Sequence, residues 1–200
     1  SDLVPYHWHV EMEIITVLQG QVRVMIADKQ YVGQQGDVFF VGTGQLHEIR
    51  GGVENLFRAF VFPMDFLQFR RTDIAQSELL APLEEGLLRF PSYISGKTEL
   101  GQALFTELKK MIRVCADQSF GHQLLVKSSL LYIIGLLASA HMLVQCPVRP
   151  AEEYRIQLLR QIIEYLSEHC TEKIRLQDVA ARFGLSPPYF CSFFKENSGR

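Results

Sequence analysis

His7-Trp8-His9, followed by Glu13 and then Gly20, spells H-x-H-x3-E-x6-G near the start of the chain. Imidazole nitrogens and carboxylates are donors that first-row divalent metals accept, and the same groups titrate or hydrogen-bond in a purely organic pocket. A strand through this segment would set His7, His9 and Glu13 on one face, because side chains alternate with a period of two. Trp8 then points the other way and reads as packing. His47, after Gly36-Asp37 and a glycine-containing turn, is placed to reach the same pocket from another strand. Three imidazoles and one carboxylate suit Fe, Mn, Ni or Zn. Paired histidines also serve a polar pocket or a sugar hydroxyl, so the residue types leave a metal centre and an organic-ligand pocket both open.

A second constellation lies near the other end. Leu176 to Ser186 reads as a helix, a glycine turn and a helix cap. Ala180 is small where two helices must approach, and Gly184 is free to take a positive φ at the turn. Ser186 suits an N-cap and Pro187 the first helical position. Phe190, Phe193 and Phe194 recur at helical spacing and face a core. The pattern is that of a helix-turn-helix, with Pro187 to Glu196 as the helix that would enter a major groove; a plain helical hairpin shares the turn. Lys195, Arg182 and Arg175 are the available phosphate partners. Residues 151–200 hold seven basic and seven acidic side chains, so charge adds little to this reading.

The elements that must position these groups fall into two periods. Residues 10–62 alternate short Val-, Ile- and Phe-rich runs with glycine-containing turns. The expected strands are Glu11–Leu18, Val22–Ala27, Val38–Val41, Leu46–Ile49 and Leu56–Phe62, a small sandwich or barrel. Residues 64–97 carry no clear period. Helical spacing then runs over Thr98–Ala116 and residues 121–145, Pro147 to Pro150 form a linker, and Ala151–His169, Arg175–Phe183 and Pro187–Glu196 follow as helices. The fold class is α+β, divided as residues 1–65, a ligand-binding sandwich or barrel; 66–146, a helical segment; 147–151, a linker; and 152–200, an all-α unit.

Composition excludes disorder: 48% of the 200 residues are hydrophobic and the net charge is −2. The apolar stretch Leu124–Val144 is interrupted by Lys127, Ser128, Ser129, Ser139 and His141 and does not read as a membrane span. No export signal is visible, and Cys115, Cys146, Cys170 and Cys191 are scattered without a CxxC, which points to reduced thiols and a cytoplasmic setting.

The first constellation resembles the first motif of the cupin superfamily, and Gly36, Gly44 and His47 resemble its second; Gly42 and Gly51 depart from the Pro and Asn usual there. In that family His7, His9, Glu13 and His47 would be metal ligands, so a divalent metal is a candidate cofactor, with none assigned. Ile162 to Gly199 resembles the first helix-turn-helix of the AraC/XylS family of transcription regulators. The likeness is carried by Ile174, Leu176, Asp178-Val179-Ala180, Gly184-Leu185-Ser186-Pro187, Tyr189-Phe190, Phe194-Lys195 and Ser198-Gly199. That family often places a cupin-like ligand domain and dimerisation helices ahead of two such units, so the chain is expected to stop before the second. The resemblance implies a non-enzymatic, cytoplasmic, sequence-specific DNA-binding regulator that senses a small metabolite such as a sugar. It implies a homodimer, built in part on the helix at 121–145, with RNA polymerase as a further partner. Ser186, Pro187, Pro188, Tyr189, Cys191, Ser192 and Lys195 would be the DNA-facing residues. The rival expectation is a metal-dependent cupin enzyme of dioxygenase or isomerase type.

Overall fold

A computed structural model of the chain describes residues 3–146 apart from 53, and residues 158–198 apart from 160, 164, 167, 171 and 172. The expected linker at 147–151 and most of the helix expected over Ala151–His169 lie outside the described residues. Two compact units are formed, Ser1–Cys146 and Pro147–Arg200.

In the first unit the run Met12–Gln19 (β2) is buried from Met12 to Val17 without alternation. Both of its faces are covered, which is why it reads as a continuous apolar stretch. Ile15 and Val17 point inward against Val22, Val24 and Ile26 of Gln21–Ile26 (β3), Phe39 and Val41 of Val38–Val41 (β5), and Ile49 of His47–Gly51 (β6). Met12 and Ile14 point the other way, with Val38 and Phe40, into a second core built with helices. The layers are therefore sheet, sheet and helices. One sheet has the order β1-β6-β3-β4, where β1 is Leu3–His7 and β4 is Lys29–Gln34; the other has the order β7-β2-β5-β9, where β7 is Leu56–Phe62 and β9 is Tyr93–Ile94. All pairings are antiparallel.

Strands β5 and β7 coincide with the expected runs. Strand β4 has no counterpart among the expected runs, and Gly33 reads in the sequence as the start of a turn. That glycine instead sits inside the strand, where a Cβ would meet the Phe39 ring at 2.7 Å, so it serves close packing rather than a bend. Residues 64–97 resolve into short helical turns, a four-residue helix Ala81–Glu84 (α1), the two-residue strand Leu88–Arg89 (β8) and β9. Glu99–Asp117 (α2) follows, and its N-cap Thr98 accepts a hydrogen bond from the Gly101 amide.

His122–Ser139 (α3) ends six residues before the expected stop at 145. His141 adopts φ 53°, and the amides of His141 and Met142 bond back to Ala138 and Leu137 carbonyls. This is a Schellman closure without the usual glycine. The chain then returns as Val144–Gln145 (β10) against β8. Helix α3 is long and apolar enough by composition to cross a membrane, yet Leu130, Ile133, Ile134 and Leu137 are buried in the core it shares with α2 and the strands.

In the second unit Leu176–Arg182 (α4) and Pro187–Ser198 (α5) are joined by a tight turn. Gly184 takes φ 67°, its amide bonds to Ala181, and the Leu185 amide bonds to Ala180. Ser186 caps α5 by accepting from the Tyr189 amide at 3.4 Å, and Pro187 and Pro188 fill positions whose missing N–H groups cost nothing. Val179, Ala180, Phe190 and Phe193 are buried, as their spacing requires.

Asp37 ties the first unit together away from its polar end. Its buried carboxylate accepts from the Gln34 and Gly96 amides, both at 2.8 Å, and from the Tyr93 hydroxyl at 3.2 Å. Replacing it (Asp37→Ala) strands two amides, and a loss of about 3 kcal/mol is expected in urea unfolding, with the histidine cluster intact.

Candidate functional site

Pairing register sorts the interior of the sandwich into tiers. Glu13 lies opposite Val41, and His47 opposite both Ile26 and His7; these residues sit where β1, β3 and β5 end and β2 and β6 begin. The next tier holds Ile15 opposite Phe39, and Val24 and Val4 opposite Ile49. The fully buried inward residues beyond the first tier are aliphatic or Phe, with Tyr31 and Tyr93 packed against them, and the four ionisable groups of the candidate site lie at one end.

The four residues singled out by the sequence do come together: one donor atom from each of His7, His9, Glu13 and His47 lies within 4.8 Å of the others. They do not arrive on one strand, as expected. His7 ends β1 in one sheet, Glu13 belongs to β2 in the other, and His9 lies in the connection between them. His7 faces inward through a register shift between Val4 and His7, an extra residue on β1 that puts two odd-spaced side chains on one face. His9 is held by its own carbonyl, which accepts from the Gly44 amide at 2.9 Å. Gly44 takes φ 71° in the turn before His47, and the Gln45 side chain accepts from the Gly42 amide.

Each imidazole is oriented from behind. His7 Nδ1 lies 2.8 Å from the Pro5 carbonyl, His9 Nδ1 3.0 Å from that of Glu11, and His47 Nδ1 2.9 Å from that of Gln45. A carbonyl only accepts, so each Nδ1 carries the proton and each neutral ring keeps a bare Nε2. Glu13 Oε2 stands 3.1 Å from His9 Nε2 and 2.8 Å from His47 Nε2. His47 is fully buried, and its Nε2 makes no hydrogen bond despite that short approach. Lone pairs facing a carboxylate require a positive charge between them, either a proton on the ring or a metal ion. Carbonyl-oriented imidazoles with a shared carboxylate are the donor set of a metal centre, so these residues fit a divalent ion.

The electrostatics follow. Burial is the largest influence on Glu13 and raises its carboxyl, but contact with His47 and His9 and their positive charge outweigh it and bring the pKa down to about 2. The Glu13 partnership raises that of His9, against a lowering by burial.

Sequence reasoning missed the carbonyls of Pro5, Glu11 and Gln45, because backbone atoms leave no signature in residue type. Of the expected DNA-facing residues, Ser186, Pro188, Tyr189, Cys191, Ser192 and Lys195 are exposed on α5 and its cap, and Pro187 is half-buried. Arg182, expected as a phosphate partner, lies over the Tyr165 ring at 4.5 Å.

Residues 1–134 match the family model of the AraC-like ligand binding domain. The chain is 21% identical over 202 residues to the uncharacterized HTH-type transcriptional regulator YdeC of Bacillus subtilis, covering 96% of this chain and 65% of YdeC. It thus spans less than two thirds of that relative's length. Among solved structures it is similar in fold to an apo ToxT variant from Vibrio cholerae, with a TM-score of 0.55 and 9% identity over 98% of this chain and 71% of that one. The AraC-like transcriptional activator CuxR gives a TM-score of 0.47 and 11% identity over 94% and 61% of the two chains.

In the metal-free protein, the depressed Glu13 pKa contributes stability that is present above the ordinary value of 4.5 and is lost as pH falls toward about 2. Between pH 6.5 and 3 this amounts to about 2 kcal/mol. Urea unfolding at the two pH values should show that difference in the parent and lose it in Glu13→Gln. The raised His9 pKa has the opposite sign: its contribution is complete below 6.5 and disappears as pH climbs through the folded value.

Proposed function

The chain belongs to the family of the AraC-like ligand-binding domain, and from that premise we propose that it works in a small-molecule-responsive transcription regulator. The cluster of His7, His9, Glu13 and His47 is the effector pocket, and α4 with α5 is a DNA-reading unit. The observation that carries this reading is the presence of the family's domain over residues 1–134 in a chain that also presents a capped helix pair with an exposed polar stripe. A sugar is the effector class that the resemblance supplies, and a divalent ion held by the same four residues is supported by their donor geometry.

An effector shifts the regulator only if it binds two arrangements of the protein with different affinity. On the DNA side, Ser192 and Cys191 offer short contacts, Pro188 an apolar one suited to a thymine methyl, and Lys195 a phosphate anchor. Direct readout by this unit is therefore modest. The exposed face of α3, with Leu124 and Tyr132 exposed by 71% and 55%, supports a homodimer through that helix.

A second reading, a metal-dependent cupin enzyme, is favoured by the same four donors. Metal-dependent turnover that disappears in His9→Ala would establish it in place of regulation.

The regulator reading is checked by binding to DNA upstream of the gene that encodes it. Affinity should fall steeply with salt, and Lys195→Ala should lower the logarithmic salt slope by about 1 without changing sequence preference. Salt-insensitive or absent binding would refute it. Leu124→Glu should shift sedimentation from dimer to monomer while leaving the circular dichroism spectrum unchanged.

A further inference from the structure

A turn beside α3 carries an ordered set of side chains that folding does not account for. The stretch Asp65-Phe66-Leu67-Gln68-Phe69-Arg70 lies just after β7. Met64–Leu67 forms one 3-10 turn, in which residues three apart share a side. Met64 and Leu67 are buried in the core shared with the helices. Phe66 and Phe69, also three apart, face out and are 38% and 41% exposed. The turn is firmly held. The Gln76 side chain accepts from the Phe69 amide at 3.0 Å, the Gln68 side chain donates to the Glu84 carboxylate, and Lys127 of α3 donates to the Gln68 carbonyl at 3.3 Å. Lys127 Nζ also stands 5.6 and 5.8 Å from the centres of the Phe66 and Phe69 rings, so both rings meet at one ammonium. Two aromatic rings fixed at the surface are the composition of an interface rather than of a solvated turn.

Charge selects the occupant. Asp65 and Arg70 bracket the rings, both are exposed, and among the described residues neither makes an ion pair. Arg70, Arg71 and Lys127 set against Asp65 and Asp73 leave a net +1, too little to hold a nucleic-acid backbone. The order along the chain is acid, ring, ring, base. Turned end for end, that order sets base against acid and ring against ring. A two-fold axis between Phe66 and Phe69 performs this reversal, because residue i of one copy then meets residue j of the other and j meets i. Each Asp65 would face the partner's Arg70, twice per dimer.

Size sets the context. A stable interface buries about 800 Å² on each partner, more than so short a turn offers by itself. Lys127, which joins the turn to α3, lies one helical turn beyond Leu124, and Leu124, Leu125 and Tyr132 are exposed on that helix. The turn therefore continues a surface that is already apolar.

We propose that the contact between two copies of this chain extends from α3 onto this turn, and that reciprocal Asp65–Arg70 pairs between the copies fix its orientation. The proposal rests on the reading of α3 as a homodimer surface and adds the residues that select one pairing of the two copies. Apolar faces alone tolerate sliding and tilting. Opposite charges at defined places leave one arrangement free of like-charge contacts. Because these pairs lie at an exposed rim, they set specificity more than strength.

Two variants of the full chain test this by sedimentation at low salt, with folding checked by circular dichroism. Asp65→Arg places two basic contacts across the two-fold, and Arg70→Asp places two acidic ones. Each variant alone should dimerise at least about 10-fold more weakly than the parent. An equimolar mixture of the two should recover association to within about 3-fold of the parent, because a mixed dimer restores both opposite-charge contacts. Added salt should narrow these differences. A contact within one chain cannot be rescued by mixing. Parent-like dimerisation of either variant alone would overturn the proposal, as would a mixture no stronger than its components. If Leu124→Glu gives monomers while both charge variants dimerise normally, the α3 reading stands and the turn has no part in it. A parent that stays monomeric at every concentration tested overturns both readings and leaves the two rings to a different protein.

Discussion

A backbone carbonyl can only accept a hydrogen bond, and the chemistry at one end of the sandwich follows from that. The carbonyls of Pro5, Glu11 and Gln45 each accept a hydrogen bond from the Nδ1–H of one imidazole. Three bare Nε2 atoms are thereby turned on a single carboxylate. The surrounding irregularities have their purpose in this arrangement. The extra residue in β1 turns His7 inward, the Gly44 amide holds the carbonyl of His9, and the Gln45 side chain steadies the turn that delivers His47. Each is a local departure from regular structure, placed where regular structure would aim a donor elsewhere.

Rigidity comes from the central sheet. Its inner face fills the sandwich with Ile15, Val17, Phe39 and Val41, and its outer face gives Met12, Ile14, Val38 and Phe40 to the helices. A strand covered on both faces cannot slip by one residue without exchanging its two cores, so Glu13 is fixed by the burial of its neighbours rather than by its own contacts. Asp37 fastens the other end of β5 to the segment that leads into α2. The ionisable end is thus built on an element that the helices also hold in place.

Much of this was legible in residue order, and what was not has physical reasons. The apolar runs Val38–Val41 and Leu56–Phe62 mark those strands, and the Gly184, Ser186 and Pro187 series marks the turn and cap between α4 and α5. The four residues do converge in space, but a common strand face does not unite them, since His9 lies off the strands and Glu13 is in the opposite sheet. A bulge, a glycine used for packing and a histidine in the left-handed region share one property. Each is set by tertiary contact, and each contradicts the local rule by which Gly33 reads as a turn and His141 as mid-helix.

The polar tier also carries an energetic argument. A carboxylate exposed by only 4% beside a fully buried imidazole is a costly pair to desolvate, and apolar residues of similar volume often serve stability as well or better. The neighbouring tiers show how readily this sandwich accepts Ile, Val and Phe at inward positions. Four ionisable groups in one place, three of them imidazoles oriented by backbone carbonyls, therefore answer a requirement other than folding. β1, β2, β6 and the connection carrying His9 each supply one of these groups, so the cluster ties the four segments together. The cluster is thereby joined to the packing of both sheets of the first unit.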